Sequence, residues 1–321
     1  MKPLDVVVVG ELNADLILIG LPGLPALGEL KLAKGMCLTL GSASAIFASN
    51  IARLGLNVGF VGKVGADEIG EFIVRSLQRE RLDVSHITRE NAAATGICVS
   101  LSFQGEYAQA SYPGLRETFT LADVDMDFVL SARHVHLSSY YLQKGMTAGC
   151  PELFRKAKEK GLSTSMDHDT DPSGRWDKSI YRVLERVDVF LPNEREALKI
   201  SGQNNLGSAM RELGQRVEIL VIKRGGKGAV LQKHHVTLTS GGFPVEVVDT
   251  TGAGDSFNAG FLFQYLQGGS LETCLRWGNA CGALSTQAMG GTTSFPARDK
   301  VDRFLAENTS ASDLETSGQL G

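Results

Sequence analysis

The stretch that most constrains this chain is V-E-V-V-D-T-T-G-A-G-D-S-F-N-A-G-F, residues 245–261. A short valine-rich run precedes D-T-T-G-A-G-D, after which apolar residues recur at helical spacing. The pattern predicts a strand, a tight glycine turn and a helix start. Gly252, Ala253 and Gly254 are too small to shield their backbone N–H groups. A helix leaves its first N–H groups unpaired and points its positive dipole end outward, so the turn suits an anion such as phosphate. Asp255 falls in the first helical turn, where the dipole favours an ionised carboxylate at neutral pH. Beside a phosphate cradle, that carboxylate can take a proton from an attacking hydroxyl. Spacing alone leaves a plainer alternative open, a packing turn followed by a helix-stabilising charge.

The string D-T-T-G-A-G-D-S-F-N-A-G-F closely resembles the C-terminal signature of the PfkB, or ribokinase-like, carbohydrate kinases. That resemblance implies an anion hole at Gly252, Ala253 and Gly254 with Asp255 as catalytic base. It also implies ATP and Mg²⁺ as cofactors, a K⁺-type activating cation, and a ribokinase-like three-layer α/β sandwich. In that fold a mostly parallel central sheet carries a small β-sheet lid.

The rest of the chain is compatible with such an enzyme. Its 321 residues are 43% hydrophobic and 21% charged, enough for a substantial core. The 32 basic and 36 acidic residues form no long run of either sign, which argues against a nucleic-acid or anionic-membrane surface and for a small-molecule partner. Cys37, Cys98, Cys150, Cys274 and Cys281 show no CxxC pairing, as expected of thiols in a reducing compartment. No window approaches ~18 consecutive apolar residues, and the expected location is cytoplasmic.

Residues 5–10, D-V-V-V-V-G, read as a strand buried on both faces, followed by E-L-N-A-D. The order G-x-x-N-A-D resembles the family's N-terminal motif and implies that Asn13 and Asp15 grip substrate hydroxyls. Residues 16–40 and 95–112 alternate apolar and polar around turn residues, predicting short strands; the resemblance makes segments 12–40 and 94–112 the lid. Residues 41–55 form a helical pattern, where family members open with two glycines and place an Asn five residues after the first. Here Gly41 is kept, while Ser42 stands at the second glycine and Ile46 at the Asn. One expected substrate hydrogen bond is therefore missing, and Ser42 or Ser44 are candidate replacements. Asp67 reads as a helix cap. His134 and His136 lie on one side of a predicted strand, which allows a metal pair but shows no third ligand.

After that strand Tyr140, Tyr141 and Gln143 are candidate pocket residues, and Asp167 and Asp169 are rim candidates. Asn193 and Glu196 match the family's N-x-x-E motif, implying water-mediated Mg²⁺ organisation; a helix cap explains the same residues, and both can hold. K-R-G-G-K-G at 223–228 resembles the nucleotide-side loop and puts Lys223, Gly225 and Gly228 near ATP. Asn279 is the implied adenine-side contact. Asp249, Thr251 and Ser294 resemble the loop around a monovalent cation. Residues 1–306 read as one kinase domain and 307–321 as a disordered Ser/Thr/Gly-rich tail.

The implied reaction moves the γ-phosphoryl group of ATP to a hydroxyl, expected to be a primary one, of a free sugar or sugar-like acceptor. Few basic residues fall in the acceptor segments, which favours an uncharged substrate. A nucleoside kinase is the alternative, since Ile46 and the tyrosine pair leave room for a base, and a non-catalytic sugar- or nucleotide-binding protein is the alternative of another class. Lid edges could also pair two copies into a homodimer.

Overall fold

The computed structural model describes residues 3–103, 106–293, 295–308 and 314–317. Fourteen strands are numbered in chain order: β1 Val6–Val9, β2 Asn13–Ile19, β3 Gly35–Leu40, β4 Val58–Gly65, β5 Asp83–Glu90, β6 Gly96–Phe103, β7 Glu106–Tyr112, β8 His134–Leu137, β9 Ser163–Met166, β10 Val189–Phe190, β11 Ile219–Lys223, β12 Ala229–Lys233, β13 Val236–Ser240 and β14 Leu314–Ser317. The large sheet runs β14-β13-β12-β11-β10-β9-β8-β1-β4-β5. From β11 to β5 all pairings are parallel; β12, β13 and β14 continue it antiparallel.

The four valines of β1 are fully buried and alternate between two cores. Val6 and Val8 pack with Phe47, Ile51, Phe261 and Trp277 on one face, and Val7 and Val9 with Leu153, Phe154 and Leu213 on the other. Helices cover both faces, which is why β1 reads as an unbroken apolar run rather than an alternating one. Each parallel strand is followed by polar residues at its C-terminal end, so the functional side chains gather along one edge of the sheet.

The smaller sheet, β3-β2-β6-β7, forms from the two segments expected to make it. Asn13 and Asp15 sit in its strand β2, not in a turn. One face is poorly covered: Met36 is 67% exposed, and Leu27, Leu30 and Leu32 in the preceding loop are exposed as well.

Two expectations fail in the fold. Residues 245–248 form no strand; Val247 and Val248 are over half exposed, and the N–H groups of Val248 and Asp249 both donate to Thr286 O. β-branched composition predicted a ladder, but no strand among the described residues pairs with the segment. In the stretch read as a disordered tail, Leu314–Ser317 pairs antiparallel with β13, whose edge would otherwise be open. Residues 309–313 and 318–321 lie outside the described residues.

The histidine pair is a buried hydrogen-bond ladder. β8 and β9 align His134 with Ser163 and His136 with Ser165. His134 Nδ1 and Nε2 lie 2.8 and 2.6 Å from Ser163 and Ser165 Oγ, and His136 Nδ1 and Nε2 lie 2.7 and 2.8 Å from Ser165 and Ser138 Oγ. With all four ring nitrogens occupied, neither ring is available to a metal.

Burial pushes the pKa of His134 down to about 3, so the ring is neutral in the fold. The unfolded chain takes up a proton there below the ordinary value of 6.5, so this histidine makes the fold less stable as pH falls from 6.5 towards 3 and has no such effect above 6.5. His134→Gln, which cannot titrate, is expected to be less stable than wild type at pH 8. The gap in melting midpoint should narrow on acidification, by the equivalent of about 2 kcal/mol at pH 5. Comparing the two proteins cancels the carboxylates, and a pH-independent gap would contradict the assignment.

Candidate active site

The glycine turn is built by two close approaches. Gly252 caps the helix Ala253–Leu266 in the left-handed region at φ 71°. A Cβ there would lie 2.6 Å from Gly291 Cα and 3.1 Å from Ile46 Cγ2. The sequence carries glycine because the site has neither the dihedral freedom nor the space for a side chain. The Ala253 N–H turns back to Thr250 O at 3.1 Å, whereas the Gly254 and Asp255 N–H groups have no acceptor among the described residues. The Gly252 N–H likewise has no acceptor among the described residues, so of the expected Gly252, Ala253 and Gly254 donors only Ala253 is closed, by the turn at the left-handed glycine, and Asp255 adds a further open donor.

Asp249 fixes the approach to this turn. It accepts from Thr251 N and Oγ1 at 2.9 and 2.8 Å and from Gly290 N at 2.8 Å. Asp249 and Thr251 therefore meet the 290–293 loop; Ser294 lies outside the described residues.

Asp255 is half-buried at the bottom of a cleft of about 1090 Å³. Nothing among the described residues hydrogen-bonds its carboxylate. Burial first, then the Asp167 carboxylate, holds its pKa well above the usual range; Lys223 opposes this, and Asp169 and Glu11 add to it. The first-turn dipole was expected to keep Asp255 ionised, but that effect is worth only about 0.3–1 kcal/mol at an exposed helix end. Enclosure among further acids outweighs it.

Lys223 and Asp167 are joined through Asn258: Lys223 Nζ donates to Asn258 Oδ1 at 3.1 Å, and Asn258 Nδ2 donates to Asp167 Oδ2 at 2.5 Å. Asp167 Oδ1 accepts from Ser139 N at 3.2 Å, and burial raises this carboxyl to about 7. A Cβ on Gly254 would lie 3.3 Å from Lys223 Nζ, so the ammonium sits directly beside the glycine turn.

At the acceptor end, Asn13 Nδ2 donates to Asp15 Oδ1 at 3.0 Å, and both line the cleft. Gly41 lies behind them; a Cβ there would come within 2.3 Å of each side chain. Ser42 lines the cleft at φ 68°, the left-handed conformation a glycine would adopt freely. Its Oγ caps the helix Ala43–Arg53 through Ala45 N and donates to Glu11 O at 2.6 Å. Ser44 is fully buried and donates to Glu11 Oε2 at 2.6 Å, so it does not face the acceptor. Ile46 lines the cleft and packs behind Gly252 and Gly291.

Of the two tyrosines, Tyr141 reaches the cleft. Tyr140 is buried with its hydroxyl 3.1 Å from Ser179 Oγ, and Gln143 is buried with Nε2 donating to Ser138 O at 2.6 Å. Neither lines the cleft, because the short 3₁₀ turn Tyr140–Leu142 rotates successive side chains away from one another.

At the other end lie Asn193, Glu196, Lys223, Gly225, Gly228 and Asn279. Asn193 and Glu196 form a reciprocal capping box, with Glu196 N donating to Asn193 Oδ1 at 2.9 Å and Asn193 N to Glu196 Oε2 at 2.8 Å. Asn279 Nδ2 donates to Ser240 O, Ser240 Oγ and Gly241 O, pinning the loop after β13. Glu11, Asn258 and Arg116 are cleft or support residues that sequence reading passed over. Glu11 and Arg116 lie in or beside recognised segments, but only their enclosure marks them out.

A family model for pfkB family carbohydrate kinases matches residues 3–298. The chain belongs to that family. It is 33% identical over 271 residues to an ATP-dependent ribose-1-phosphate kinase of Halopiger xanaduensis, covering 83% of this chain and 86% of that one. It is 31% identical over 281 residues to a fructokinase of Salmonella typhimurium, covering 82% and 91%. Among solved structures, Arabidopsis thaliana ribokinase complexed with ribose and ATP superposes with a TM-score of 0.84 at 26% identity, covering 97% of this chain and all of that one. This kinase therefore has the ribokinase-like fold and is a phosphotransferase with a hydroxyl acceptor.

Gly252→Ala tests the turn: the added methyl meets backbone, and the left-handed dihedral costs about 1 kcal/mol or more. A destabilisation of about 1–3 kcal/mol in denaturant melts is expected, together with loss of turnover. Unchanged stability would show that the turn can relax.

Proposed function

We propose that this kinase transfers the γ-phosphoryl group of ATP to a primary hydroxyl of a sugar or sugar-like acceptor, with Asp255 as the base. The observation that carries this reading is an unpartnered carboxylate beside the open Gly254 and Asp255 N–H groups of one helix terminus. Asp255 takes the proton from the acceptor hydroxyl, whose oxygen then bonds to the γ-phosphorus as the bond to the β-phosphate oxygen breaks and ADP departs. The open N–H groups and Lys223 face the negative charge on the moving group, where fixed donors act without reorganising. Asn13 and Asp15 orient the acceptor hydroxyls, and Gly225, Gly228 and Asn279 shape the nucleotide end.

Mg²⁺ fits the donors present. Glu196 commits one carboxylate oxygen to the Asn193 cap, and its other oxygen has no partner among the described residues. One free carboxylate oxygen beside the cleft suits a cation that keeps most of its waters. When bound, Mg²⁺ would neutralise phosphate charge. Asp249 and Thr251 are the protein groups nearest to a K⁺-type site in this reading.

The small sheet serves as a lid, excluding water from the cleft. Its open β3 edge and the exposed Leu27, Leu30 and Met36 support a homodimer of two lids. Leu30→Glu combined with Met36→Lys should convert a dimer to a monomer in light scattering; a monomeric wild type would rule the contact out. The free thiols and the acceptor chemistry support a cytoplasmic enzyme, and no described helix is long and apolar enough to cross a membrane.

Asp255→Asn should lower kcat by several orders of magnitude in an ADP-release assay while nucleotide binding persists. Wild-type kcat/KM should rise with pH through a value above the ordinary carboxylate range, because the base works deprotonated and its surroundings raise its pKa. Activity surviving in the Asn variant would remove Asp255 from the chemistry. Nucleosides in the acceptor panel test the alternative substrate class.

A further inference from the structure

The acceptor end of the cleft is rich in acids, and several of their oxygens already have partners. Glu11 Oε2 accepts from Ser44 and Oε1 from Ser139, at 2.6 and 2.9 Å. Asp169 Oδ1 accepts from Thr170 N at 2.5 Å, and its Oδ2 lies 3.3 Å from Ser139 Oγ. Asp15 Oδ1 accepts from Asn13 Nδ2, and the Arg116 charge partly offsets the burial of this carboxyl without pairing to it. The cations are less evenly matched. Lys144 lines the cleft but pairs with Glu117 at 2.5 Å. Arg116 also lines it, and no carboxylate among the described residues lies within ion-pair distance of its guanidinium.

A guanidinium carries five N–H donors. At Arg116 one hydrogen bond is made, from Nη2 to Ser111 Oγ at 3.1 Å, and Nε is buried without an acceptor. The residue is also held in place from behind. It belongs to the 3₁₀ turn Gly114–Glu117, where Gly114 has φ 55° and a Cβ would fall 2.4 Å from Ala94 O and 2.5 Å from Gly96 N. Leu115 is buried beside it and its N–H donates to Ala94 O at 3.3 Å. A fixed, half-buried fork of donors with one neutral acceptor is arranged for a group with several lone pairs and negative charge.

We infer that the acceptor carries an anionic group, a carboxylate or a phosphate, bound by Arg116 at the lid-side end of the cleft. This rests on the kinase reading above and replaces the expectation of an uncharged acceptor. That expectation came from counting basic residues within the acceptor segments. Arg116 falls just beyond the second lid segment in sequence, and the Gly114 turn folds it back into the cleft.

The test compares glucose, gluconate and glucosamine, and ribose with ribose 1-phosphate, which keeps its primary hydroxyl free, in ADP release by wild type, Arg116→Gln and Arg116→Lys. Wild type should favour an anionic member of a set. Arg116→Gln should lower kcat/KM for it by roughly 10- to 100-fold, mainly through KM, and change neutral acceptors less than about threefold. Arg116→Lys should fall between, since it keeps the charge and loses the fork. Preference for gluconate or for ribose 1-phosphate distinguishes carboxylate from phosphate. A wild type that prefers neutral or amino sugars, or an Arg116→Gln variant that loses all acceptors equally, overturns the inference and leaves the kinase intact. If no acceptor turns over, the kinase reading is what fails, and calorimetry with the same sugars decides the inference. Arg116-dependent binding of gluconate or ribose 1-phosphate sustains it, and no difference from the neutral sugars overturns it.

Discussion

The structure depends on the contact of Gly252 with Gly291 and Ile46. The helix Ala253–Leu266 starts where it does because the chain reverses at a left-handed glycine whose missing side chain admits another backbone. That approach aims two unpaired N–H groups and the Asp255 carboxylate into the same cleft. Ile46, standing where the family places a polar residue, is the apolar wall behind this turn. Its side chain gives the turn an apolar backing at Gly252 and Gly291.

Around the helix terminus the protein gathers more negative charge than the dipole could hold by itself. Asp167, Asp169, Glu11 and Asp255 share one enclosed region, with Lys223 as the counter-charge tied to Asp167 through Asn258. Burial and mutual repulsion raise these carboxyls above the range of a solvated aspartate. Ser42 shows the same economy of parts: it accepts a left-handed backbone, and its hydroxyl both caps a helix and holds the Glu11 main chain.

Much of this was legible in the residues. The V-V-V-V run announced a strand buried on both faces, because only an interior strand tolerates apolar groups on each side. D-T-T-G-A-G-D fixed the glycine turn, the helix start and the position of Asp255, because few residues fit a left-handed cap at a close backbone approach. Local rules also gave the Asn193–Glu196 capping box and the Asp67 cap, whose partners lie within one helical turn. The valines at 245–248 misled for the converse reason: β-propensity records a preference for a sheet surface, and no sheet surface was there to receive them.

Tertiary structure decided what depended on residues far apart in the chain. Tyr141 rather than Tyr140 reaches the cleft because a 3₁₀ turn sets the direction of each ring. His134 and His136 are a serine-bonded ladder because β9 happens to align Ser163 and Ser165 with them. The raised pKa of Asp255 comes first from burial and then from Asp167, Asp169 and Glu11, none of them near it in sequence. Chain order alone determined the glycine turn, the helix start and the capping boxes; the charge that the cleft carboxyls carry follows from enclosure, which exists only once distant segments have packed together.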